Sequence, residues 1–128
     1  MYEILAYKKE TENKLRWDAD VEGTPFELYI PKWRIPDPPP GKVLIRIFLT
    51  KDRIQMTKKF TQSEIRQNPQ FKKEPIYAEV SRFREHTKTI RFDPIGNNSN
   101  WEIGSPYIPR SILSDENIKK LYLVVEWE

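Results

Sequence analysis

The sequence predicts an all-β fold: a compact pseudo-twofold barrel or sandwich of about eight strands, with at most short helices. Three observations predict it. Short runs alternate apolar and polar residues with period two, most clearly Val43, Ile45, Ile47 and Leu49. Eleven prolines break the chain at intervals too short for long helices. The strand plan also occurs twice. Tyr29-Ile30-Pro31-Lys32 returns 78 residues later as Tyr107-Ile108-Pro109-Arg110. The match continues through Asp37 and Asp115, Lys42 and Lys120, and the alternating pair of runs ending in Leu49 and Trp127. Upstream it continues at an offset of 75, aligning Tyr2 with Tyr77, Glu10 with Glu85, and Arg16-Trp17-Asp18 with Arg91-Phe92-Asp93. The expectation is an internal duplication within one domain: repeats 2–49 and 77–127, joined by a basic connector, 50–76.

In chain order, 2–8 reads as a strand, Glu10–Asn13 as a polar hairpin turn, and 14–18 as the returning strand. Leu15 and Trp17 share one of its faces, and Lys14, Arg16 and Asp18 the other. Glu22-Gly23-Thr24-Pro25 breaks the chain before Phe26, Leu28 and Ile30 alternate again. Pro31 removes a backbone donor, so that strand must end, bulge or lie on an edge. Asp37-Pro38-Pro39-Pro40-Gly41 reads as a stiff extended crossover into the strand 42–49. Within the connector, Ile54, Met56 and Phe60 alternate like a strand. Thr61-Gln62-Ser63-Glu64 has the form of a capping box, and Asn68-Pro69 would end the short helix it starts. The second copy repeats the plan with strands at 76–84 and 89–93, a loop at 96–100, strand segments at 101–103 and 106–108, a single capped turn at 114–119, and a final strand at 120–127.

Composition excludes several classes. The chain has no cysteine, hence no disulfide and no thiolate nucleophile or metal ligand. Four isolated glycines form no phosphate-cradling loop. The N-terminal segment has no basic-plus-apolar pattern of a signal peptide, and no run has the length of a membrane span, so the expected location is the cytoplasm. No cofactor is expected. The net charge of +3 is localised: residues 51–74 hold seven basic and three acidic side chains, while 1–50 hold eight of each and 75–128 hold seven and eight. The whole excess lies in the connector.

Candidate sites are few. Arg16-Trp17-Asp18 and Arg91-Phe92-Asp93 read as strands in which each Arg pairs with its own Asp and the aromatic enters the core. The sharper alternative is a carboxylate pair of Asp18 and Asp93. His86, the only histidine, falls at a hairpin tip, read as a solvated turn residue. Arg82-Phe83-Arg84 reads as a core aromatic between solvated cations. Basic residues flank aromatics at Lys32-Trp33-Arg34, at Lys58-Lys59-Phe60 and beside Lys72-Lys73, a pattern single-stranded nucleic acid exploits through stacking and charge. These eight residues are the candidate partner contacts. Trp33 corresponds to Ser111, so the repeat plan does not require it.

Ile30-Pro31-Lys32 followed by Gly41-Lys42-Val43 resembles the AbrB-like swapped-hairpin DNA-binding antitoxins, where an Ile-Pro-Lys strand leads through a helix to a Gly-Asp-Lys-Val strand. Here Pro36, Pro38, Pro39 and Pro40 occupy the place of that helix, and the chain is not assigned to that family. The expected function is a non-enzymatic protein–protein interaction or assembly module of phage, secretion or toxin–antitoxin type; a homo-oligomer is compatible with it. The alternative is a module binding nucleic acid or another anionic partner through the connector and Trp33. A third reading is an enzyme with an unrecognised carboxylate site.

Overall fold

The computed structural model describes residues 1–11, 15–115 and 117–128. It is all-β: eight antiparallel strands in a nearly closed barrel, with one short α-helix and several 3₁₀ turns. The strands are β1 (Tyr2–Glu10), β2 (Leu15–Val21), β3 (Thr24–Tyr29), β4 (Lys42–Phe48), β5 (Ile76–Glu85), β6 (Thr89–Pro94), β7 (Tyr107–Pro109) and β8 (Lys120–Trp127); α1 is Gln62–Gln67. Their order in the sheet is β3-β2-β1-β4-β8-β5-β6-β7. Alternate side chains point inward and fill the barrel, as expected when eight strands close on themselves. Val43, Ile45, Ile47, Leu121, Leu123 and Val125 all lie in one core with Trp17, Phe26, Leu28 and Phe92.

Local chemistry explains the breaks. Val21 and Thr24 pair across a two-residue turn in which Glu22 and Gly23 both take positive φ, 51° and 85°. Such turns match the twist of the flanking strands. Asp20 closes this turn by accepting the Gly23 N–H at 2.7 Å. Pro31 follows β3 and starts the 3₁₀ turn Lys32–Arg34; Pro109 ends β7 and starts the 3₁₀ turn Arg110–Ile112. The ends of the sheet, β3 and β7, lie side by side. There the Gly104 N–H donates to the Tyr29 carbonyl at 2.8 Å. A Cβ at Gly104 would sit 3.3 Å from the Tyr29 Cβ, so this close approach favours glycine.

Exchanging β1–β4 with β5–β8 leaves the strand order unchanged, and the pairing registers correspond as well. Arg16 faces Tyr29 as Arg91 faces Tyr107, and Lys8 faces Trp17 as Arg82 faces Phe92. At the centre Ile45 faces Val125 and Ile47 faces Leu123. One part of the sequence alignment is corrected. Tyr2 faces Ile47 while Ile76 faces Val125, so Tyr2 corresponds to Ile76, not to Tyr77. A β-bulge between Arg82 and Arg84 supplies the extra residue and restores the alignment of Glu10 with Glu85. A one-residue slip reverses the face of every side chain, so Tyr77 points outward.

Other expectations also change. Residues 54–60 form no strand, and of the segments 101–103 and 106–108 only Tyr107–Pro109 pairs as one. Glu12, Asn13, Lys14 and Glu116, on which parts of the first hairpin turn, the start of β2 and the turn at 114–119 were read, lie outside the described residues. The connector packs against the barrel. Thr61 accepts from the Glu64 N–H and Glu64 accepts from the Thr61 N–H, both at 3.1 Å, completing the capping box. Ile65 anchors α1 and is buried together with Phe60. Outward-facing Tyr77 and Val124 are buried too, beside Lys59 and beside Ile54 and Met56 respectively. The connector is therefore a second layer outside the barrel wall.

The two central strands carry equivalent core positions. Ile45→Ala and Leu123→Ala are each expected to cost about 2–5 kcal/mol, from lost transfer energy plus a cavity. Urea denaturation checks this; a cost below about 1 kcal/mol at either site would contradict a shared, tightly packed core.

Candidate functional site

The three basic segments singled out in the sequence meet at one place, and a buried ion pair brings them there. Arg34 closes the 3₁₀ turn after β3, with its side chain fully buried. Its Nε donates to Glu102 Oε1 at 2.7 Å. Its Nη1 donates to the Lys72 carbonyl at 2.8 Å, and Nη2 to the Glu74 and Pro75 carbonyls at 2.7 and 3.1 Å. The second Glu102 oxygen accepts the Phe60 N–H at 3.2 Å. The Arg34 guanidinium also lies 5.3 Å from the Phe60 ring centroid, and Phe60 packs on Phe71 at 5.1 Å. One side chain thus fixes residues 32–34, 58–60 and 72–75 against the loop carrying Glu102.

Burial lowers the Arg34 pKa and raises that of Glu102, each opposed by hydrogen bonding to the other. Charge is satisfied inside the cluster, so neither group is available to a partner. Arg34 and Phe60 are corrected accordingly: both are buried and serve the fold, not a contact surface.

The other six candidates remain at the surface. Lys32, Lys58, Lys59 and Lys73 are exposed, and Trp33 and Lys72 are half-buried. Lys58 pairs with Glu64 at 3.0 Å. Hydrogen bonding from Lys58 and from the Thr61 N–H holds the Glu64 carboxyl below its ordinary pKa. Lys59 lies 5.8 Å from the Tyr77 ring centroid. Among the described residues Lys32, Lys59, Lys72 and Lys73 make no ion pair. The arginines of the barrel differ: Arg16 pairs with Asp18 and Glu27, Arg46 with Glu3 and Glu126, Arg91 with Asp93. These four lysines thus carry charge that no ion pair neutralises, at the place where the Arg34 cluster gathers the connector.

Beside this face, an open groove of about 370 Å³ lies between the end of β3 and the loop 98–104. Leu15, Ile30, Pro31 and Ile103 supply apolar walls, Trp101 a ring, and Lys32 a cation. The Arg-aromatic-Asp motifs behave as the alternation implies. Arg16 and Asp18, and Arg91 and Asp93, pair at 3.0 and 2.9 Å, while Trp17 and Phe92 are fully buried. Partly solvated pairs of this kind contribute at most about 1 kcal/mol.

Sequence reasoning missed Glu102, whose role depends on an arginine 68 residues away. The only local signal is its place next to the apolar Ile103. It also misplaced Phe83, which is 54% exposed and not a core residue. Here a signal existed: the apolar positions of β5 fall at 76, 78 and 80 and then shift phase to 83.

Arg34→Met is expected to cost about 3–5 kcal/mol, because it strands the Glu102 carboxylate and leaves three carbonyls unpaired. Hydrogen exchange should show Phe60 and α1 losing protection before β4 and β8. Uniform loss of protection would contradict the pinning role, and so would full retention.

A scan against protein-family models, a search of curated proteins and a search of solved structures each found no match to this chain.

Proposed function

We propose that this chain is a non-enzymatic binding module whose partner is a nucleic acid, held at the basic face formed by the connector and the turn Lys32–Arg34. The observation that carries this reading is the convergence just described. Three lysine-bearing segments, distant in sequence, are drawn together by Arg34, and of the lysines there Lys58 pairs with Glu64 while Lys32, Lys59, Lys72 and Lys73 make no ion pair among the described residues. A layer serving only to cover Tyr77 and Val124 has no need of this charge. Phosphate neutralisation by such lysines is the sequence-independent part of nucleic-acid affinity. Half-buried Trp33, between Lys32 and Arg34, offers a ring beside the cations. The location implied is the cytoplasm; among the described residues no helix is long and apolar enough to cross a membrane.

The two halves are read as copies of one ancestral four-strand unit. The symmetric strand order and the corresponding registers support that reading, as do the matching Pro31 and Pro109 turns. A duplicated body explains why the connector, which has no counterpart in the repeat, is free to carry a separate task.

A protein–protein assembly role is the second reading, favoured by the apolar groove between the end of β3 and the loop 98–104. Salt separates the two. Binding of a labelled oligonucleotide, followed by anisotropy between about 50 and 200 mM salt, should weaken steeply, with a slope matching several released counterions. Changing Lys58, Lys59, Lys72 and Lys73 to Gln should remove most of the affinity. The melting temperature should stay within a few degrees, since Arg34 uses the Lys72 carbonyl and not its side chain. Salt-insensitive capture of a protein, with no oligonucleotide binding, would favour the assembly role.

A further inference from the structure

The bulge in β5 builds a second, separate surface. It inserts Phe83 where β1 has no residue and leaves the ring 54% exposed. Arg91 of β6 lies against that ring, its guanidinium carbon 4.3 Å from the centroid, and Arg84 lies 5.6 Å away. Arg91 is paired in register with Tyr107 of β7, itself 41% exposed, and the His86 ring lies beside Tyr107 at 5.2 Å, tilted by 48°. Aromatic and guanidinium planes thus alternate across three neighbouring strands, which places Phe83 and Tyr107 roughly 10 Å apart.

Charge surrounds this strip. Lys119 and Lys120 border the same open groove as Phe83, Arg82 and Arg84. Counting Arg82, Arg84, Arg91, Lys119 and Lys120 against Glu85 and Asp93 gives five cations to two anions, a local excess of +3. The other half of the barrel shows what the plain strand plan looks like. There Arg16 meets two carboxylates, Asp18 and Glu27, and no bulge offers a ring. In this half Ser105 stands in place of Glu27 and donates to Asp93 at 2.7 Å. Both halves expose tyrosines, Tyr7 and Tyr29 in one and Tyr107 in the other, but only this half adds a ring at a bulge, and it lacks the second carboxylate that Arg16 meets. Bulges commonly re-aim a side chain toward a site.

We propose that this outer face of β5, β6 and β7 binds single-stranded nucleic acid, with bases stacking on Phe83 and Tyr107 and phosphates contacting Arg84, Lys119 and Lys120. Bases stack on exposed rings regardless of sequence, and flanking cations hold the backbone. A duplex keeps its bases stacked internally and gains only the charge contacts. The inference shares its partner class with the reading above but not its surface, so the two can fail separately.

The test titrates a labelled oligothymidine and a duplex of equal length into wild type and variants. Phe83→Ala and Phe83→Leu should each lose about tenfold or more in affinity for the single strand, with unchanged melting temperatures. Phe83→Trp should retain affinity, and its added fluorescence, measured against wild type, should be quenched by the single strand and not by the duplex. Unchanged affinity in Phe83→Leu, no quenching in Phe83→Trp, or equal affinity for the duplex would each overturn this proposal. If only the connector lysine variant loses binding, the proposal falls and the preceding reading stands. Wild type that binds no oligonucleotide overturns both.

Discussion

The barrel depends on the ladder between β4 and β8. Among the described residues it is the only run of paired strands that joins one half of the sheet to the other, and its register is self-complementary, Ile45 to Val125 and Ile47 to Leu123. Each four-strand half by itself would present an apolar face to water and two open edges, both unfavourable. Pairing β4 with β8 removes one edge from each half and turns the two apolar faces toward each other. The opposite side, at β3 and β7, then has to close by proximity. It does so around Gly104 and Tyr29, where the absence of a side chain lets the two backbones approach.

Around that symmetric frame, the informative features are the departures from symmetry. Arg34 stands where the other half has Ile112. The residue that holds the connector is thus charged where the corresponding turn of the other half has an apolar side chain. A buried ion pair is weak evidence of stability, since the cost of removing both charges from water offsets most of their attraction. What the Arg34–Glu102 pair does supply is geometry. Its guanidinium satisfies carbonyls of residues 72, 74 and 75 while Glu102 holds the Phe60 amide, and few other arrangements of that chain could meet all of these demands. The bulge at Phe83 is the second departure, and the exchange of Glu27 for Ser105 the third. All three bear on where positive charge is left available at the surface.

Much of the fold was legible in the chain. The period-two runs located most of the eight strands because each has one face in the core. Thr61 and Glu64 announced the capping box, and the two prolines after Tyr29-Ile30 and Tyr107-Ile108 marked strand ends, since both effects act within a few residues. The phase shift from Val80 to Phe83 was also present, but was read as continued alternation, and this displaced the alignment of Tyr2. The candidate sites were less legible. Arg34 and Phe60 have the same basic and aromatic character as their neighbours Lys32 and Lys59, and nothing local distinguishes a buried arginine from a solvated one.

The sequence by itself determined the strand class, the places where strands must stop and the concentration of charge between residues 51 and 74. These follow from side-chain periodicity, backbone restriction and composition, which are local properties. Only the tertiary structure decided which half of the connector's chemistry is internal and which is external. That depends on Arg34 meeting Glu102 and the carbonyls of 72–75, and on Tyr77 and Val124 needing cover on the outside of the wall. These contacts join residues tens of positions apart, and their energies exist only once the sheet has closed.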